Sequence, residues 1–264
     1  MKFLNFEQFN ESFIEDLFRG AHAAIDKDDL QPLASFIGKP KFPTQKEVDN
    51  ACKFLKIDPD YLFYDDKNML NPIVYWKGPV FYGFFGGLNI EALKMTQADK
   101  FLAQMEKLFT ESRGKKDYER LFTFVDKKIL IPTFIELYNE IPDGQKYNVF
   151  NDLYMRSEFG FGMFPEEILD DVFTKRKLSK EWKERMKEFK KKAKINTDGT
   201  ITVFRGEGSK STKNGMSWTL DRKVANFFAN RFESKGKVVS KKIKPEQVLD
   251  YLPDRNESEV LIRA

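Results

Sequence analysis

Phe3, Phe6, Phe9, Phe13 and Leu17 recur at intervals of three and four residues, which predicts an amphipathic helix over the first twenty residues that packs on the rest of the chain. Prolines, glycine and lysines between Pro32 and Pro43 break that rhythm. Thr44 followed by Glu47 offers a capping box, so a helix is expected to run from there through Leu55. "DPDYLFYDDKN" (58–68) reads as a loop, and "NPIVYWKGPVFYGFFGGLN" (71–89) as a hairpin, because prolines and glycines punctuate short aromatic and β-branched runs. Helical patterns resume from Ile90 to Phe109, and the charged "TESRGKKDYER" (110–120) is the linker candidate. Further helices are predicted in "VDKKILIPTFIELYNEI", in "YNVFNDLYMRSEF" and across Thr174–Lys194, where Trp182, Met186 and Phe189 fall at i, i+4 and i+7.

After Asn196 the period changes. "TDGTITVFRG" is a turn and an alternating strand, "GMSWTLD" a second strand, "RKVANFFANRFE" a helix, and "GKVVSKKIK" and "SEVLIRA" the last strands. The chain is therefore expected to be α+β, with a mainly helical region over 1–112 and a second domain over 113–264 whose last seventy residues are β-rich.

With 264 residues, 41% of them hydrophobic and 15% aromatic, the chain can build substantial cores, so most of its 27 phenylalanines are expected inside. No run approaches the roughly 18 apolar residues of a membrane span, and the N-terminus lacks a signal pattern, which predicts a soluble, cytoplasmic protein without membrane partners. Cys52 is the only cysteine and His22 the only histidine. Cys/His zinc sites, histidine-based hydrolytic triads and Cys-His pairs are thereby excluded, no metal is expected, and His22 is read as structural. Chemistry must fall to carboxylates, arginines, hydroxyls or a bound co-substrate. The net charge of +4 is modest, but the lysines and arginines of 174–194 concentrate it on one helix, either as a solvated face or as a patch for phosphate-rich partners.

Two phosphate-binding readings fail. In "FRGEGSKST" a serine stands where a dinucleotide fingerprint needs its third glycine, and another serine separates glycine from lysine where a P-loop needs them adjacent. "FGFGMF" (159–164) reads as a turn between helices. What remains is "NESEVLIRA" at the end of the chain, where two carboxylates two residues apart, Glu257 and Glu259, would share one face of a strand. Like charges that close need a cation to meet them.

Arg205 closing a strand, Ser217-Trp218-Thr219 on the next, and Glu257-Ser258-Glu259 at the last together resemble the catalytic core of the arginine-serine-glutamate class of mono-ADP-ribosyltransferases. The resemblance covers about the last seventy residues, and more loosely the helices from Tyr147. The serine motif departs from the family pattern in carrying Trp218 and Thr219; alternation would let the tryptophan be buried while both hydroxyls face the cleft. The resemblance implies a split two-sheet β core with NAD, as co-substrate, in the cleft between the sheets. It implies Glu259 as the carboxylate that stabilises positive charge on the ribose through its 2′-hydroxyl, oriented by Ser217. It implies Glu257 as the group positioning the acceptor or taking its proton, and Arg205 with Gly206 as the element that meets the pyrophosphate or adenosine ribose. Thr219 would support the strand or the nicotinamide-ribose side, Phe227 and Phe228 would stack on nicotinamide or lie in the core, and Arg156, with Tyr147, would reach NAD from a preceding helix. The acceptor would be a macromolecule, protein or RNA/DNA, as for a toxin or phage-host effector, and a neutralising partner protein is a further expectation. "MKFLNFEQFNE" is similar to leader helices of proteins packaged in tailed-phage heads. NAD glycohydrolysis and a non-catalytic nucleic-acid-binding module stay open as alternatives.

Overall fold

A computed structural model describes residues 25–68, 71–157, 161–208, 215–231, 236–253 and 257–263. The expected N-terminal helix and His22 lie outside these residues. The architecture is α+β, and the chain divides into two compact units, one ending at Val172 and the other starting at Phe173. The boundary expected at 112/113 falls instead inside a helix.

The first unit opens with β1 (Gln31–Pro32) and α1 (Gln45–Leu55). As anticipated, α1 starts at a complete capping box: Thr44 Oγ1 accepts from the Glu47 amide while Glu47 Oε2 accepts from the Thr44 amide at 2.7 Å. Strands β2 (Leu62–Tyr64), β3 (Ile73–Lys77) and β4 (Val80–Gly83) follow. All four strands pair antiparallel in the order β1-β2-β3-β4. The β3–β4 hairpin turns at Gly78, whose φ of 54° lies in the left-handed region. Strand β2 corrects the loop expected at 58–68: acidic residues surround Leu62-Phe63-Tyr64, but pairing with β3 makes those three a strand.

The helical patterns expected from Ile90 form two helices, α2 (Ile90–Met95) and α3 (Ala98–Gly114), because Gln97 at φ 52° breaks the backbone between them. Helix α4 (Tyr118–Thr123) follows at once, so the linker candidate is helical for most of its length. Its charges are used locally: Arg113 makes a bidentate pair with Glu140, and Tyr118 donates to the same carboxylate at 2.9 Å. The pairing holds the Glu140 carboxyl below its ordinary value. Helices α5 (Leu130–Leu137), α6 (Asp143–Arg156) and α7 (Glu166–Lys175) complete the run. Phe122 and Phe164 meet the buried Phe134 edge-on and Phe150 meets it at a tilt, the role expected of most phenylalanines.

The second unit holds α8 (Lys180–Lys192), β5 (Ile201–Glu207), β6 (Ser217–Thr219), α9 (Arg222–Asn230), β7 (Lys237–Ile243), β8 (Val248–Leu252) and β9 (Glu259–Ile262). The basic stretch is not one helix, since Ser179 caps α8 after a 3₁₀ turn at Arg176–Leu178. The strands form one antiparallel sheet in the order β7-β5-β6-β9-β8, where a split two-sheet core was expected. Its continuity is thin. Between β5 and β6 the pairing is Phe204 with Thr219 alone, whereas β5 pairs with β7 along all seven of its residues.

One face of this sheet carries Ile201, Val203, Tyr251, Val260 and Ile262, packed with Phe189 of α8. Trp218 is half-buried against that cluster, as the alternation argument required. Cross-strand partners share a face, so the pairings of Phe204 with Thr219 and Thr219 with Glu259 put all three on the opposite face, along with Ser217. Among the described residues no helix is long and apolar enough to cross a membrane.

Candidate functional site

The cleft forms where β5 and β6 part company. Beyond Phe204, β5 continues with β7 as its partner while β6 stays with β9, and the opening between them is lined by Arg205, Gly206, Ser217, Thr219, Glu257 and Glu259. Val224, Ala225 and Phe228 of α9 close one wall. Its volume is about 160 Å³. Seven of the ten residues singled out from the sequence for a site therefore line one cleft.

Each is placed by a local cause. Ser217 is two residues from Thr219 on β6, and Thr219 faces Glu259 across the β6–β9 ladder. Ser217 Oγ donates to Glu259 Oε1 at 2.5 Å, which fixes one carboxylate oxygen. Thr219 acts on the backbone instead. Its hydroxyl donates to the carbonyl of Glu257 at 2.5 Å and accepts from the Asp221 amide at 3.0 Å. Thr219 thus ties the turn before β9 to the start of α9.

That turn corrects the reason given for the glutamate pair. Strand β9 begins at Glu259, and Ser258 sits at φ 46°, in the left-handed region that a non-glycine residue enters at a cost. Strand alternation therefore does not relate the two carboxylates. They reach one cleft because Ser258 turns the chain and β6 pins it, through Thr219 and through the Leu220 amide donating to the Ser258 carbonyl at 3.1 Å.

Two glycines shape the arginine side. A Cβ on Gly215 would stand 1.9 and 2.2 Å from the two terminal nitrogens of Arg205 and 2.4 Å from its central guanidinium carbon, so the guanidinium meets the backbone there edge-on, through its terminal nitrogens. A Cβ on Gly206 would stand 2.2 Å from the Ala225 carbonyl oxygen and 2.3 Å from the Ala229 nitrogen. Gly206, assigned to co-substrate contact from its sequence position, serves to let the α9 backbone rest directly on β5.

The aromatic pair separates. Phe228, 36% exposed, lines the cleft, while Phe227, 62% exposed, does not, and neither is core. Arg156 and Tyr147 belong to the other unit. Arg156 donates to the carbonyls of Phe122 at 2.7 Å and Val125 at 2.9 Å and pairs with Asp152, while Tyr147 is buried. Both read as braces of the helical core. Sequence reasoning missed Gly215 and the α9 residues Val224 and Ala225; the tight glycine contacts become visible only once α9 is seated. Burial, helped by Asp49 and Asp58, pushes the Cys52 thiol up to about 11, which keeps it protonated near neutral pH.

Comparison of the chain with protein-family models, curated proteins and solved structures returned no match.

Proposed function

We propose that the chain is an NAD-dependent mono-ADP-ribosyltransferase with a macromolecular acceptor, its catalytic core of the ADP-ribosyltransferase type lying in the second unit. The observation that carries the reading is the Ser217–Glu259 hydrogen bond at 2.5 Å, inside a cleft that also gathers Arg205 and Glu257. NAD supplies a ribose–nicotinamide bond whose cleavage leaves positive charge on the ribose carbon. A carboxylate oriented before that charge develops stabilises it without reorganisation, which is the part assigned to Glu259. Ser217 holds the carboxylate in place by donating to one of its oxygens.

Arg205 suits a pyrophosphate, since its guanidinium is a planar fork of donors at the cleft, beside Gly215, where any side chain would displace it. At about 160 Å³ the cleft is smaller than the roughly 300–1,000 Å³ of sites that enclose a whole small ligand, so it takes one end of a dinucleotide. Glu257 lies beside Glu259 where an acceptor would approach, and accepts its proton as the new bond forms.

The test uses purified full chain with NAD labelled on the adenylate, plus cell lysate, beside Glu259→Gln. Label transfer and nicotinamide release that both fall by about a hundredfold or more in the variant are expected. Nicotinamide release without transfer would replace the reading by NAD glycohydrolysis, and neither would end the enzymatic reading.

A further inference from the structure

We propose that the acceptor is a single-stranded nucleic acid, seated on a ridge of α9 formed by Lys223, Phe227 and Arg231. This rests on the transfer reading and names the substrate class of that same cleft. Residues four apart stack along one helical face, about 6 Å from one another. Arg231 keeps helical angles, φ −59° and ψ −35°, so the row extends unbroken past the last residue of α9. All three side chains are exposed, Phe227 at 62%. A phenyl ring is thus held in water between two cations, an arrangement that burial alone would not select.

The neighbouring face of the same helix walls the cleft, through Val224, Ala225 and Phe228. The two faces are coupled at the rings: Phe227 meets Phe228 edge-on at 5.4 Å, and the Arg231 guanidinium lies 6.0 Å from the Phe228 centroid. From Arg222 to Asn230 the helix carries no carboxylate. The adjoining Asp221 is engaged as its N-cap, accepting from the Lys223 amide at 2.7 Å. Asp221, Arg222, Lys223 and Asn226 also border a depression that reaches Val238 of β7.

An exposed ring flanked by cations and free of helical carboxylates matches what single strands need, a π-face for a base and positive charge for the phosphates either side. A folded protein partner would call for a contiguous apolar patch instead. On this surface a nucleophilic oxygen or nitrogen of the strand bonds to the ribose C1′ as the C1′–nicotinamide bond breaks. The bonding pair leaves with nicotinamide, and the nucleophile's proton passes to Glu257.

The test measures fluorescence anisotropy of labelled oligouridylate and oligothymidylate with the full chain at several salt concentrations, then adenylate-labelled NAD with the same oligonucleotides. Binding that weakens with salt is expected. Phe227→Ala should lose about tenfold in affinity and Phe227→Tyr should keep it. Lys223→Ala and Arg231→Ala should flatten the salt dependence. Label should pass to the oligonucleotide, and Phe227→Ala should lower that transfer along with the binding. The proposal is overturned if these variants bind like the parent, or if transferred label is released by protease only. In the second case Glu259-dependent nicotinamide release would leave the transfer reading standing. Ridge-dependent binding with no nicotinamide release would instead sink the transfer reading and, with it, the acceptor role.

Discussion

Helices α8 and α9 both pack on the C-terminal sheet, but α8 is attached by what its side chains supply and α9 by what the strands lack. On α8, Phe189 enters the sheet core, the Trp182 indole donates to the Leu249 carbonyl at 2.8 Å, and Arg185 pairs with Asp250, which is 0% exposed. Under α9, Gly206 and Gly236 offer bare backbone to Ala225 and Ala229. Side-chain anchoring can be strong and tolerant of small shifts. Backbone-on-backbone seating has no slack, which suits a helix that walls a cleft whose dimensions matter.

The largest break in this comparison should come from Arg185→Ala. It removes the guanidinium from a fully buried carboxylate, and breaking such a pair by deleting one partner costs about 3–5 kcal/mol. Urea denaturation followed by tryptophan fluorescence should show the loss. Pairing Arg185→Met with Asp250→Leu should restore much of it, because two apolar groups leave no buried charge. A loss below about 1 kcal/mol for the single variant would mean that α8 is held by Phe189 and Trp182 alone.

Gly206→Val comes next and should differ in kind. Its Cβ would meet the α9 backbone at 2.2–2.3 Å, so the helix must lift, at a cost of about 1–3 kcal/mol. Nicotinamide release should fall far more than that loss implies, since Val224, Ala225 and Phe228 move with the helix. Arg185→Ala, assayed where it is still folded, should keep its turnover. Equal turnover in the two variants would show that the seat of α9 has no bearing on the cleft.

The same contrast explains what could be read from the sequence. Phe189, Met186 and Trp182 announced the α8 stripe because apolar side chains at helical spacing leave a periodic trace. Ser217 and Thr219 could be put on one face because a strand alternates, and the resemblance brought Glu259 to them. Strand β8 went unread: Asp250 interrupts "VLDYL" and a register shift lies between Val248 and Asp250, so the period is lost, and the charge that meets the buried aspartate, Arg185, lies 65 residues away. The role of Gly206 was misassigned for a related reason. A missing side chain leaves no pattern, and what presses against it depends on where α9 lands. Glu257 and Glu259 were brought together for the wrong reason, since the left-handed Ser258 that joins them has no signature in residue type.

Ser258→Gly tests that last point and should have the smallest effect. A non-glycine residue at φ 46° carries on the order of 1–2 kcal/mol of strain, and glycine returns roughly 0.5–1 kcal/mol of that as extra freedom of the unfolded chain. A net gain of at most about 1 kcal/mol is therefore expected in the same urea experiment. The serine persists in this conformation because β6 pins both neighbouring carbonyls, those of Glu257 and Ser258. Glycine loosens the turn between those anchors, so nicotinamide release should fall while stability rises. A variant that gained no stability would place the cost of bringing the two carboxylates together elsewhere, in the splaying of β5 from β6. A variant that gained stability at full turnover would show that Glu257 needs no fixed backbone to serve the acceptor.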